Sequence, residues 1–126
     1  MSLGKEANMS VLADVKAFCG IAWNNYDFDI ELRTFINSAL STLTELGVNT
    51  KTYVMNQEID WSQVFEGGYP EEVKPFVYLK VRQLFDPPQN AFLVSAIDKQ
   101  LQEFAWRINI HVERHQGGVD TWRQTP

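Results

Sequence analysis

The residues best suited to catalysis or metal binding are two histidines near the C-terminus. His111 and His115 are four residues apart, so a helix would place both imidazoles on one face, with Glu113 between them. In helical zinc hydrolases a glutamate directly follows the first histidine, but here Val112 stands there, and the chain has no third histidine. We therefore expect no metal site and interpret this pair as part of a solvated helix end.

The single cysteine, Cys19, is the other residue whose side chain could take part in a reaction. A cysteine beside a histidine can act as a thiol nucleophile, but it also needs an orienting group and an oxyanion site, and the sequence shows neither. A lone cysteine among apolar residues is more often a small core side chain. We therefore predict a protein that is not an enzyme and needs no cofactor. A thiol- or metal-dependent enzyme that uses Cys19, His111 or His115 is the less favoured alternative.

Acidic residues are concentrated in one stretch of the chain. Between Lys51 and Lys74 there is no other Lys or Arg, and the carboxylates there are Glu58, Asp60, Glu66, Glu71 and Glu72. The net charge is −5, from 16 acidic and 11 basic residues. These five residues therefore account for the whole excess of acidic over basic residues. This charge argues against a protein that holds nucleic acid by its phosphates.

The same stretch contains the aromatic residues Trp61, Phe65 and Tyr69. Aromatic side chains among like charges suit a contact with another protein, or a loop that folds back on its own domain. Both alternatives stay open at this point. For the first we select Trp61, Phe65 and Tyr69 as interaction residues, together with Trp122 and Arg123, because Trp and Arg are common interface anchors.

Helices are predicted to position these residues. Apolar spacings of three and four residues indicate helices over 11–19, about 29–46, from between 70 and 75 to 85, and from 91 onward. Their expected N-caps are Ser10, Asp27 or Asp29, and Asn90, while Gly20 and Gly47 end the first two. Residues 48–69 lack the pattern and are predicted to form a long loop, with one helical turn between Asp60 and Glu66.

The predicted fold class is therefore all-α, a small bundle of about four helices with a long irregular loop between the second and third and with flexible termini. One domain is expected over residues 1–126, with 1–9 as an N-terminal tail or tag remnant and 116–126 as a C-terminal tail. No apolar run approaches the length of a membrane span, so no membrane partner is expected. The buried stripes are expected to include Phe35, Leu40, Phe76, Val81, Leu84, Leu93, Leu101 and Phe104.

Several segments resemble a known family. They are residues 69–82, the Phe85-Asp86-Pro87-Pro88 helix stop, residues 103–109 with Trp106-Arg107-Ile108, and the opening residues 11–16 before an acidic turn and a long helix. Together they resemble the small head–tail connector proteins of tailed phages with long tails, and of their prophage copies. The resemblance extends over about residues 11–111.

The resemblance implies a structural subunit without a cofactor, located at the head–tail junction of the virion and in the bacterial cytoplasm during assembly. It implies a homo-oligomeric ring that docks beneath the phage portal protein, extends the DNA channel and meets a downstream connector or tail protein. Whether the ring forms alone or only on the portal as a template stays open. The runner-up interpretation is a small monomeric adaptor or regulatory protein that binds one partner.

Within this interpretation the acidic residues have an expected role. An acidic loop of Glu58, Asp60, Glu66, Glu71 and Glu72 that faced the channel would repel the phosphate backbone. DNA would then pass through the ring without specific binding.

Overall fold

The computed structural model describes residues 10–116, and within this range the regular secondary structure is helical. The helices are α1 (Val11–Phe18), α2 (Asp29–Glu45), α3 (Trp61–Val64), α4 (Val73–Phe85) and α5 (Ala91–Gln116). The only extended pairings in the described range are two isolated bridges, Ser10 with Asp60 and Thr50 with Phe65. The all-α prediction is confirmed, and the single turn of α3 adds a fifth helix to the four long stretches expected.

Local chemistry explains most helix ends. The Ser10 side chain accepts a hydrogen bond from the Ala13 amide at 3.0 Å, which confirms the predicted cap of α1. The Asn90 side chain accepts one from the Phe92 amide at 2.7 Å and so caps α5 as predicted. The prediction for α2 is wrong, because Phe28 occupies the N-cap position without a side-chain hydrogen bond. Asp29 is the first helical residue, and its carboxylate turns inward to a buried partner described below.

Helices α2 and α4 form the centre of the bundle, α1 packs against both, and α5 packs mainly against α4. The apolar stripe of α2 is buried as the spacing predicts, and so is most of the stripe of α4. The buried residues of these two stripes are Leu32, Ile36, Ala39, Leu40, Leu43, Val73, Phe76, Val77 and Val81. Of the other expected core residues, Leu101 is buried, and Phe35 and Phe104 are half-buried against the same core. No helix within residues 10–116 combines the length and apolarity needed to cross a bilayer.

The connecting segment, residues 48–69, has little regular structure but is firmly packed. It places six side chains in the core, namely Val48, Val54, Trp61, Val64, Phe65 and Tyr69. The Asn37 side-chain amide bonds to both backbone groups of Val54, at 2.8 and 3.0 Å. Asp60 and Gln63 form a reciprocal capping box around the single turn of α3. Side chains thus satisfy part of this backbone, and irregular backbone contacts such as that of the Lys51 amide with the Val64 carbonyl, at 2.6 Å, satisfy more of it.

Helix α5 is twice as long as the helix it packs against. Its 26 residues span about 39 Å, whereas the 13 residues of α4 span about 20 Å. The two are antiparallel, since Asp98 meets Gln83 near one end and His111 meets Glu72 near the other. About one and a half turns of α5 therefore project beyond the end of α4, and we call residues 91–95 the overhang.

The overhang corrects two core predictions. Leu93, expected in the buried stripe of α5, is 50% exposed, and its neighbour Phe92 is 80% exposed. Leu84, expected in the stripe of α4, is also exposed. For Leu93 the reason is that the Asp86-Pro87-Pro88 stop ends α4 too early for α4 to cover the start of α5.

Candidate functional site: interaction surfaces

The three aromatic residues chosen as interaction residues lie in the protein's own core. Trp61, Phe65 and Tyr69 are only 3–6% exposed, and their rings contact one another in sequence, with centroids 6.4 and 4.9 Å apart. The Trp61 indole nitrogen donates to an Asp14 carboxylate oxygen at 2.7 Å, and the Tyr78 hydroxyl donates to the same oxygen at 3.4 Å. As placed here, the three side chains have almost no surface to offer a partner. The arrangement is that of the other alternative, a segment folded back on its own domain.

Burial also governs the protonation of this cluster. It raises the pKa of the Tyr69 hydroxyl to about 12, and nearby Glu71, Asp60 and Asp14 add to the effect. Burial, followed by the charge of Asp14 and its hydrogen bond, likewise raises the pKa of Tyr78 to about 12. Both hydroxyls therefore stay protonated at neutral pH. Such groups serve as fixed hydrogen-bond donors and are poorly matched to acid–base catalysis there.

The five acidic residues have different surroundings. Glu58, Glu66 and Glu71 are exposed. Asp60 is half-buried and accepts the Gln63 amide hydrogen bond at 3.0 Å, so its first task is to cap α3. Glu72 lies 3.5 Å from the His111 imidazole and joins α4 to α5. Only the three exposed carboxylates are thus fully presented to the surroundings of the protein.

Cys19 and His111 are not brought together. Cys19 follows α1 near Arg82 and Asp86 at the end of α4, whereas His111 faces Glu72 at the start of α4. Desolvation raises the pKa of the Cys19 thiol, which keeps it protonated, and a thiol nucleophile requires the opposite shift.

Among the residues whose side chains are described, no group of three His, Cys, Asp or Glu could hold a metal ion. The His115 side chain, Trp122 and Arg123 lie outside the described side chains.

A buried ion pair joins three parts of the chain near the start of α2. The Lys16 ammonium lies 3.0 Å from an Asp29 carboxylate oxygen, and both side chains are almost fully buried. Lys16 also donates to the Trp23 carbonyl at 3.2 Å, while the Gln57 amide donates to the other Asp29 oxygen at 3.0 Å. This pairing explains why Asp29 does not cap α2. It also fixes the loop before α2 and the connecting segment against α1.

A cleft of about 300 Å³ opens above this ion pair, with Trp23 and Tyr26 among its walls. Large exposed apolar side chains occur near this cleft, and we call them the connection patch. It consists of Trp23, Tyr26, Ile30 and Met55, all of them exposed, with Trp23 at 78%. The Arg33 guanidinium donates to the Met55 carbonyl at 2.5 Å and so holds this residue beside the first turns of α2.

The overhang is the second exposed apolar surface. Phe92, Leu93 and Val94 are all exposed there, and further along α5 the outward-facing Trp106 is exposed as well. Sequence reasoning missed Phe92, Trp106 and the connection patch as surface features. One signal was present, because Phe92 and Trp106 are large apolar residues that lie off the buried stripe of their helix. Exposed apolar patches of this kind are typical of surfaces that bind another protein.

Comparison with known families gives these surfaces a context. The family described as phage connector protein matches residues 11–115. Neither a curated protein nor a solved structure matches the chain significantly. The family match extends from the first residue of α1 to the last turn of α5 and includes both apolar patches and the buried ion pair. The chain therefore belongs to the phage connector protein family.

Proposed function

We propose that this protein is a structural subunit of a head–tail connector ring, located beneath the portal at the head–tail junction of a phage or prophage particle. It would extend the DNA channel and join the head to a downstream connector or tail protein. The observation that carries this proposal is the family match over residues 11–115. The subunit acts by assembly rather than by catalysis, first in the bacterial cytoplasm and then in the virion.

The described surfaces suit an assembly role. A ring subunit meets neighbours on two different faces and meets the portal and the next component at its ends, so it needs several contact surfaces. The overhang and the connection patch are two separate apolar surfaces, and Trp106 adds a third exposed aromatic position. Contacts of this composition bury apolar area without requiring any chemical step.

The exposed carboxylates support a further part of the proposal, that DNA passes without specific binding. Glu58, Glu66 and Glu71 all face the surroundings, and a negative wall repels the phosphate backbone. If they line the channel, the double variant Glu66→Lys/Glu71→Lys will impair retention or ejection of DNA. Glu72 is left unchanged because it contacts His111. Unaltered infectivity of phage carrying the double variant would contradict the channel-facing role.

The first experiment is to measure solution mass by light scattering on a sizing column, over a wide concentration range and with or without the portal protein of the same phage. A closed species of about a dozen copies, alone or on the portal, is the expected result. Binding of a single copy to one partner, with no ring under either condition, would favour the monomeric adaptor. The exposed apolar surfaces are the observation that keeps this second function in consideration.

A further inference from the structure

The overhang and the connection patch lie at the same end of the molecule. Phe28, just before α2, packs edge-on against Phe85 at the end of α4, with ring centroids 5.3 Å apart. The start of α2 is therefore beside the end of α4, and this is the end beyond which the overhang projects. Helix α5 meets the α2 side of the bundle at the opposite end, where Asn109 reaches the Leu46 carbonyl. Helices α2 and α5 both pack on α4 and make little contact with each other, so the two surfaces lie on different flanks of α4.

The two surfaces are complementary in shape. The overhang is convex, a free helix end that carries Phe92 and Leu93. The cleft within the connection patch is concave, and its volume of about 300 Å³ is ample for one phenyl ring and one isobutyl group. Its floor is the Lys16–Asp29 pair, whose opposite charges already neutralise each other. Aromatic anchors that fill such pockets supply most of the energy of protein–protein contacts.

The charges around the two surfaces are also complementary. Asp27 and Glu31 are exposed and lie one and two residues from the cleft-lining Tyr26 and Asp29. The first turn of α5 contains no acidic residue, unlike that of α2, so the positive end of its helix dipole is not compensated. A helix start of this kind is attracted to an acidic rim and disfavours a second helix start.

We propose that the overhang of one copy inserts Phe92 and Leu93 into the cleft of the next copy, between Trp23 and Tyr26. The inference rests on the proposed function and names the contact by which the ring subunits join. Two different faces meet, so the contact is head-to-tail and can be repeated indefinitely. A head-to-tail contact that closes on itself gives a ring.

Disulfide capture between two single-cysteine variants tests this contact. In a Cys19→Ser background, one preparation carries Ala96→Cys, one turn after Phe92, and the other carries Asn24→Cys, next to Trp23. Both positions are exposed, and both substitutions leave the anchor residues in place. Under mild oxidation at high protein concentration, we expect cross-linked dimers in the mixture and far fewer in either preparation alone.

Other outcomes would overturn the proposal in different ways. Rapid dimerisation of the Ala96→Cys preparation alone would show that two overhangs pack against each other. A mixture without cross-links, from a protein that still forms a ring, would place the ring contact elsewhere and leave the proposed function intact. A mixture without cross-links and without association would exclude a second copy as the occupant, and portal binding would then decide the proposed function separately.

A matched pair of alanine variants locates the contact along α5. Phe92→Ala should weaken association of the unmodified chain at least about tenfold, since it removes an anchor. Trp106→Ala removes another exposed aromatic side chain, about 21 Å further along the helix, and should leave association unchanged. The opposite pattern would overturn the proposed pairing.

Discussion

The connecting segment and the overhang differ in a way that reverses the usual relation between regular structure and burial. The connecting segment has one helical turn, yet six of its apolar side chains are buried, and only Tyr53 and Met55 stand out as exposed. The overhang is regular helix, yet its apolar side chains are open to the surroundings. Backbone regularity depends on local hydrogen bonding, whereas the burial of a side chain depends on which other elements pack against it. Exposed apolar surface therefore has to be judged from what packs against each side chain, and both a helix end and an irregular loop can present it.

The largest expected effect tests the buried side of this comparison. Trp61→Ala should reduce the free energy of unfolding by about 3–5 kcal/mol, because it empties a large core volume and removes the partner of Asp14. Trp23→Ala is the matched control, since its ring is mostly exposed and its loss should change stability by no more than about 0.5 kcal/mol. Urea unfolding followed by circular dichroism gives both values. Equal losses would mean that the connecting segment is no better packed than the surface.

A smaller effect is expected where α5 is held against the end of α2. Gly47 has a φ of +103°, and an added Cβ would lie 2.7 Å from a Val112 methyl group. Gly47→Ala should therefore cost about 2–4 kcal/mol through backbone strain and displacement of Val112. Gly20→Ala also meets a positive φ, of +76°, but has open space around it, so it should cost only about 1–2 kcal/mol. Thermal or urea unfolding that found no difference would show that Val112 moves aside without cost.

The aromatic cluster predicts a loss of stability at alkaline pH. In the unfolded chain Tyr69 and Tyr78 lose their protons near pH 10, whereas in the folded protein their pKa values are about 12. The folded state thus holds protons more tightly, so the stabilisation is complete below pH 10 and is lost as the pH rises from 10 to 12. Urea midpoints measured across this range should fall with pH. Tyr78→Phe should make the fall shallower, and an unchanged slope would exclude this cluster as its origin.

The smallest expected effect concerns the overhang and sharpens the contrast within α5. Phe92→Ala should change stability by at most about 0.5 kcal/mol, because its ring is already in contact with solvent. Leu101→Ala, nine residues further along the same helix, removes a buried side chain and should cost about 2–5 kcal/mol. The pair can be measured by the same urea titration. A destabilising Phe92→Ala would mean that the overhang packs within its own subunit.

Features that depend on neighbouring residues could be predicted from the sequence. The stripe of α2, the Ser10 and Asn90 caps and the stop at Asp86 each follow from the chemistry of a few consecutive residues. For the same reason the fold class and the family resemblance could be inferred from the sequence. Both depend on helical spacing and on short motifs rather than on distant contacts.

Features that depend on distant partners could not be predicted. Burial of Trp61 depends on Asp14, 47 residues earlier, and the position of Val54 depends on Asn37. The role of Asp29 depends on Lys16, whereas its position in the chain alone suggested a helix cap. For Leu93 the spacing correctly indicates a helix face, but exposure depends on where α4 ends. The spacing of apolar residues indicates which side of a helix faces the core, but it carries no information on how far the opposing helix extends.

The unequal support of α5 has a mechanical consequence. Near its C-terminal end the helix is clamped by Val112 against Gly47, by Asn109 on the Leu46 carbonyl and by His111 beside Glu72. Between this clamp and the overhang, buried Leu101 and the Gln83–Asp98 hydrogen bond also hold α5 in place. A sideways load on Phe92 therefore acts about 9 Å from the first support, at Asp98. Binding at the overhang would load the contact between the end of α4 and α5 before any other part of the subunit.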